Sequence, residues 1–390
     1  MWCLLCCLGC QLTCVLAPLR WALRHEWPRM RQMFFFPLAG QVRWEHATQR
    51  QVLLRRLGAV EVDLTTADER TVHGVWCEPR GGAAGAAGAA GAAGAAGNGA
   101  SSATGGSGGE ASSERPVVLL LHANAMVLDD MTDWALYYLN LGCGVLCITF
   151  WGYPDPAEDH GAYGAEGTGS TEGSPLAAEG GYCPTELSLY LDAEAALQHL
   201  RLARRVPLER CLVHGLSIGG AAAIALGVQH TGLRVTADQT FASMHEVSSH
   251  VGRGLYAQIV MQRAPPWLRA PLLGVAPLAV WMATWLVVAM AFRPPVAAER
   301  HGAACAGLDR LDNLGKAARM RGDLFVFYAE HDEMMPRHFA ARILAARYGE
   351  GQQLERTLCV PGGHCAFFGD VPELRTRYRT YLQQQGFLLD

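Results

Sequence analysis

CLVHGLSIGGAAAIALGV, residues 211–228, is the stretch on which the fold turns. An apolar, β-rich run (210–215) leads in, and the Ala-rich run from Gly219 reads as helix. Between them stands Gly215-Leu216-Ser217-Ile218-Gly219. The same Gly-x-Ser-x-Gly pattern recurs at Gly105-Gly106-Ser107-Gly108-Gly109. With 12 serines and 44 glycines in 390 residues, roughly 0.15 chance matches are expected, so context must decide. Ser107 lies in a Gly/Ala/Ser tract with no strand before it and no helix after it. Ser217 has both. A serine at a sharp strand-to-helix turn has a strained backbone and a hydroxyl exposed above the sheet, and flanking glycines let the two backbones approach.

Outward from this turn, strand and helix alternate. Residues 60–78 read as two strands around a turn. PVVLLLH (116–122) and GVLCITF (144–150) are apolar runs of the kind buried on both faces of a parallel sheet, with a helix over 128–141 between them. LSLYLDAEAALQHLRLA (187–203) reads as an amphipathic helix. Further strands are expected at 233–238, 323–330 and 354–362. The pattern is that of a doubly wound, mostly parallel α/β sheet.

The remaining catalytic parts are sought at strand ends. A serine hydroxyl is a weak nucleophile until a base takes its proton. VPGGHCAFF supplies His364 beyond the last strand, and YAEHDEMMP supplies Asp332 at the end of the 323–330 strand. The order Ser, Asp, His is the one such a sheet uses. Glu333, Asp323 and Asp238 compete for the acid, and His331 and His338 for the base. For the oxyanion, the Ile218 N–H at the helix start is one donor. The Asn124 N–H in HANAM, after the 116–122 strand, is the other; Asn124 could instead act through its side chain or only form a turn. His122 reads as structural. The scheme needs no metal or organic cofactor, and no cysteine spacing reads as a zinc site.

Composition narrows the partners. The net charge of −4 argues against nucleic acid, and the basic residues are arginine apart from Lys316. Residues 2–19 carry no charge, and Arg20, Arg24, Arg29 and Arg31 follow. The length just suffices to span a bilayer, and the basic flank would leave the rest of the chain on the cytosolic side. Cys3, Cys6, Cys7, Cys10 and Cys14 fall within an arc of about 100° on a helix. They are candidates for S-acylation; the alternative is a plain apolar anchor with a small-residue face. The expected organisation is an anchoring segment at 1–32 and one α/β domain over 33–390. Flexible loops interrupt that domain at 81–115 and 155–181, and an apolar cap at about 250–310.

The cap holds a second uncharged run, 270–292. A helix of that length would cross a bilayer. A single crossing would separate Ser217 from Asp332 and His364, so the run is expected at the membrane surface or along an acyl pocket. Trp267, Trp281 and Trp285 suit an interface. The alternative is a core helix pair broken at Pro271, Gly274 and Pro277.

LLLHANAM, FWGYP, LYLDAEAALQHLR, VHGLSIGG, DQTFAS, HDEMMP and PGGH together resemble the α/β-hydrolase-domain serine hydrolases whose third-strand loop reads His-Gly-Asn-Ala. That branch includes membrane-associated hydrolases and protein depalmitoylases with cysteine-rich tails. The resemblance implies the α/β-hydrolase fold, the triad Ser217, Asp332 and His364, and an acyl ester or thioester as substrate. Ala123 replaces the usual glycine, Trp151 a common arginine, and Pro154 a usual glycine. A peptidase on the same fold and a non-catalytic scaffold are the competing functions.

Overall fold

The computed structural model describes residues 44–79, 115–153, 185–291, 310–351 and 354–388. The 1–32 segment with Cys3, Cys6, Cys7, Cys10 and Cys14, the 155–181 loop and all of the 81–115 loop but Arg115 lie outside the described residues, as does the cap after residue 291 up to 309.

Eight strands form one sheet: β1 (Val60–Thr65), β2 (Thr71–Cys77), β3 (Val117–Leu121), β4 (Gly144–Ile148), β5 (Cys211–Leu216), β6 (Arg234–Asp238), β7 (Leu324–Ala329) and β8 (Thr357–Val360). Their order is β1-β2-β4-β3-β5-β6-β7-β8. β2 runs antiparallel to β1 and to β4, while β3 to β8 are parallel. The sequence pattern shows a hairpin at 60–78 but not its place at the sheet edge beside β4.

The helices are α1 (Trp44–Gln51), α2 (Thr132–Asn140), α3 (Glu186–Gln198), α4 (Ile218–Gln229), α5 (Met244–Arg263), α6 (Pro266–Ala291), α7 (Asn313–Arg319), α8 (His338–Tyr348) and α9 (Pro372–Gln384). Alternate residues of a strand face opposite sides, and β3 uses both. Leu119 and Leu121 pack with residues of α3 and α4, and Val118 and Leu120 with residues of α2 and α9. That is why the central strands read as unbroken apolar runs rather than alternating ones. The strand order, the antiparallel β2 and the helices on both faces make this the α/β-hydrolase fold.

One expectation and one alternative need correction. The 187–203 helix is not amphipathic: Leu187 to Ala193 are all buried on α3, Asp192 included. Asp192 is accommodated by an ion pair with Arg70 Nη1 at 2.9 Å and by the Trp151 N–H at 2.8 Å. The apolar run is not a broken core pair either. It is one helix, α6, with Pro271 and Pro277 inside it, hairpinned against α5. Each proline removes one backbone donor, facing the Trp267 and Leu273 carbonyls. Along Pro266–Leu286 only Ala276 and Val280 are buried.

Candidate active site

β5 ends at Leu216 and α4 begins at Ile218, so the chain reverses within the single residue Ser217. Its φ of 53° and ψ of −111° lie in a region that non-glycine residues rarely occupy. Two contacts hold it there. The Ser217 N–H donates to the Asp238 carbonyl at 2.8 Å, and the Thr240 hydroxyl donates to the Ser217 carbonyl at 2.7 Å. The flanking glycines are dictated by space. A Cβ on Gly215 would lie 2.1 Å from the Gly219 carbonyl oxygen, and one on Gly219 would lie 2.3 Å from that of Leu121.

The structure brings three distant side chains together here. His364, on the loop after β8, sets Nε2 3.1 Å from Ser217 Oγ. Its Nδ1 lies 2.7 Å from Asp332 Oδ2, on the loop after β7. With the proton on Nδ1, Ser217 Oγ–H donates to Nε2 and Nδ1–H donates to the carboxylate. Asp332 Oδ1 accepts the Met334 and Met335 N–H groups at 2.9 and 2.8 Å, which fixes the carboxylate plane. Ser217 and Asp332 are buried, and His364 is partly open to solvent.

The electrostatics follow from this chain of contacts. Burial alone would raise the Asp332 pKa, but the hydrogen bond and charge of His364 and the two N–H groups outweigh it and hold it below the usual carboxylate value. Burial alone would lower that of His364. The Asp332 hydrogen bond and charge, with Cys365 acting in the same direction, outweigh it and raise the imidazole above its usual range. The carboxylate therefore favours the imidazolium that forms when a proton leaves Ser217.

The other candidates are engaged elsewhere. Asp323 lies just before the opposite end of β7, where it accepts from the Tyr348 hydroxyl at 3.1 Å and pairs with Arg356 and Tyr381. Glu333, His331 and His338 are exposed. Asp238 is fully buried beneath the turn, with Trp134 Nε1 3.2 Å and His214 Nε2 3.1 Å from Oδ2.

The two N–H groups expected to receive the oxyanion sit at the same edge. Ile218 opens α4, so its N–H has no partner within the helix. β3 and β5 are adjacent and parallel, with Leu121 beside Gly215, so the 122–124 loop emerges next to the turn. His122 governs that loop. Its Nε2 accepts the Phe150 N–H at 3.0 Å, which puts the proton on Nδ1, and Nδ1–H donates to the Ala123 carbonyl at 2.7 Å. In a trans peptide C=O and N–H point in opposite directions, so the Asn124 N–H points away from His122. Burial lowers the His122 pKa to about 4, the Ala123 carbonyl and Asp130 opposing it, so the ring stays neutral. The Asn124 side chain is otherwise occupied: its Oδ1 accepts the Tyr153 hydroxyl at 2.8 Å.

Residues 238–240 escape a reading by motif. Gln239 is buried at a φ of 48°. Its Nε2 donates to Asp238 Oδ1 at 3.1 Å and to the Ala366 carbonyl at 2.8 Å, two residues beyond His364. One turn therefore grips the Ser217 backbone on one side and the His364 loop on the other. DQTFAS is the only sequence signal for it.

No protein-family model matches the sequence, and no curated protein matches it. Solved structures share its architecture distantly. An esterase of Pyrococcus furiosus aligns at 15% identity and a TM-score of 0.49 over 85% of this chain and 93% of its own. An alpha-beta hydrolase of Vibrio vulnificus aligns at 13% and 0.47 over 91% of each chain. A puromycin-hydrolyzing peptidase of Mycobacterium tuberculosis aligns at 17% and 0.46 over 84% of this chain and 40% of its own. Likenesses at this level carry no assignment of activity or substrate.

Proposed function

We propose that this chain is a membrane-associated serine hydrolase that cleaves an ester or thioester of a long-chain acyl group. The observation that carries the hydrolase reading is the hydrogen-bonded series Ser217–His364–Asp332 on a strained strand-to-helix turn. Ser217 Oγ attacks the acyl carbonyl carbon while His364 Nε2 takes its proton. The Ile218 and Asn124 N–H groups receive the oxyanion, a contribution of about 3–4 kcal/mol per aimed donor. Collapse breaks the bond to the alcohol or thiol, which leaves with the proton from His364. Water then attacks the acyl-enzyme with His364 again as base, releasing the fatty acid and regenerating the Ser217 hydroxyl.

Three features support an acyl substrate at a membrane. They are the apolar Cys-rich start of the chain, the exposed apolar surface of α6, and the resemblance to the His-Gly-Asn-Ala branch, whose members include protein depalmitoylases. In this reading the N-terminal segment anchors the chain and the catalytic domain faces the cytosol. The test is fluorophosphonate labelling of the full chain, followed by hydrolysis of acyl-thioester, monoacylglycerol and aminoacyl substrates. Labelling that disappears in Ser217→Ala, with long-chain thioesters or acylglycerols turned over fastest, is expected. An unlabelled wild type would leave a binding scaffold, and faster turnover of the aminoacyl substrate would make the protein a peptidase.

A further inference from the structure

The α5–α6 hairpin presents a surface that the hydrolytic site does not use. Trp267, Val275, Leu278, Trp281, Met282 and Trp285 are each at least half exposed. At 100° per residue they fall on one side of α6, within an arc of roughly 120°. Ala276 and Val280 occupy the other side and are buried, with Val280 close against Gly252 of α5. On α5, Val251, Leu255 and Ile259 repeat at intervals of four and are exposed as well. The helices are pinned to each other by Ser249 Oγ and Thr284 Oγ1 at 2.7 Å. Met244 and Val247 at one end and Val288 at the other join the main core, so both ends of the hairpin stay on the body.

Charge narrows the choice of occupant. Between Val247 and Ala291 there are three arginines, Arg253, Arg263 and Arg269, and no Asp or Glu. A protein partner's core would be matched by apolar area alone. A hairpin with an apolar, Trp-bearing face, three arginines and no acidic residue over this span matches anionic lipid, where tryptophan sits at headgroup level and arginine meets phosphate. The same charges decide orientation. Upright insertion would carry Arg263 and Arg269 at the hairpin turn, with Gln258 and Gln262 of α5, through hydrocarbon. Lying flat keeps them among headgroups.

We propose that the α5–α6 hairpin is a docking element that lies in the plane of an anionic membrane surface, with the exposed face of α6 sunk between headgroups. This deepens the membrane part of the function proposed above and does not depend on chemistry at Ser217. It also has a route to the site. His250 on α5 sets Nε2 3.0 Å from the Glu333 carbonyl, one residue beyond Asp332, so a docked hairpin holds the acid-bearing loop toward the lipid.

The test uses the full chain carrying Ser217→Ala, mixed with phosphatidylcholine vesicles with and without phosphatidylserine. Hydrogen–deuterium exchange reads the hairpin peptides separately from the N-terminal segment. Protection of 250–286 that needs phosphatidylserine and fades at high salt is expected. Combined Leu278→Glu, Trp281→Glu and Trp285→Glu should reduce that protection by about tenfold or more. Arg253→Gln, Arg263→Gln and Arg269→Gln together should abolish the phosphatidylserine dependence. Circular dichroism checks that both variants fold; their changes lie on exposed or half-exposed positions. Unchanged exchange in the hairpin while the protein sediments with vesicles would overturn the proposal. So would a lipid-free dimer, seen by light scattering, that already protects this face. Fluorophosphonate labelling of the unmutated chain is scored apart: its failure would remove the hydrolase reading and leave hairpin docking standing.

Discussion

Replacing Gln239 by methionine tests whether the 238–240 turn positions the base or only fills space. Methionine keeps the length and the unbranched shape but has no donor. Two hydrogen bonds disappear: 2.8 Å to the Ala366 carbonyl and 3.1 Å to Asp238 Oδ1. The first acceptor is partly buried, and the second is buried and belongs to a carboxylate. Each loss costs about 1–3 kcal/mol. Removing Gln239 Oε1, which is buried without a partner, returns part of that. A net destabilisation of about 1–3 kcal/mol is expected. The kinetic effect is separate. The His364 loop keeps the His331 N–H bond to the Gly362 carbonyl at 2.9 Å, but its far side is freed. A drift of the imidazole by about 1 Å costs on the order of 10²-fold in rate. The assay is kcat and KM on a soluble p-nitrophenyl ester beside a urea melt. The expected result is a fall in kcat with KM unmoved, because the acyl site is not touched. A destabilised protein with wild-type kcat would refute the reasoning and reduce Gln239 to a structural residue.

Asp332→Asn removes the charge that raises the His364 pKa. The neutral ring is the working base, so the acid limb of kcat/KM should move to lower pH while kcat falls by about 10⁴-fold; a limb that stays in place would place the acid elsewhere. His122 binds its proton only near pH 4 when folded and near 6.5 when unfolded. The unfolded state therefore binds more protons between those values, and stability rises with pH across that window by up to about 3 kcal/mol. Urea midpoints of His122→Gln should show a shallower acid slope than wild type, and equal slopes would count against a buried neutral ring. Asp129→Ala should cost about 3–5 kcal/mol in the same melts. It strips the buried Arg50 guanidinium of the carboxylate that it grips through Nε at 2.7 Å and Nη2 at 3.0 Å.

How much of this was legible in the sequence depends on the kind of signal each part carries. The β3 to β7 strands are readable because central parallel strands are apolar on both faces, whereas β8, at the sheet edge, is buried only at Leu358 and Val360. Ser217 is readable because a backbone collision demands glycine at two fixed offsets. Asp332 and His364 follow from chain order once the sheet is assumed. The α3 helix misleads because Glu186, Asp192 and Glu194 look like a solvated face. Glu186 in fact accepts the Leu311 N–H at 2.8 Å and Asp192 pairs with Arg70, partners more than 100 residues away that no local pattern can announce. The alternative of a helix pair broken at Pro271, Gly274 and Pro277 rests on local propensity. α6 continues through them with α5 packed alongside, tertiary packing outweighing the local preference.

The same contrast explains why Gln239 was invisible while Ser217 was not. A motif records residues whose type is forced by backbone geometry, and those constraints act at short range. The Ser217–His364 distance is set by something else. Ser217 hangs from the Asp238 carbonyl, and the His364 loop hangs from Gln239, the next residue. β6, which ends at Asp238 with Gln239 directly after it, lies between β5 and β7. A shift of β6 relative to β5 alone would stretch the Ser217 contact, and a shift relative to the β8 loop would stretch the Gln239 contact. With both contacts on adjacent residues, the elbow and the base loop are referred to one point of the sheet instead of to each other. Errors in packing elsewhere then move the nucleophile and base together. The loop bearing Asp332 is joined to the His364 loop by the His331 N–H bond to the Gly362 carbonyl, and it touches the α5–α6 hairpin through Glu333 and His250. The site is thus referred to the end of β6 at the serine and histidine and tied to the apolar hairpin at the carboxylate.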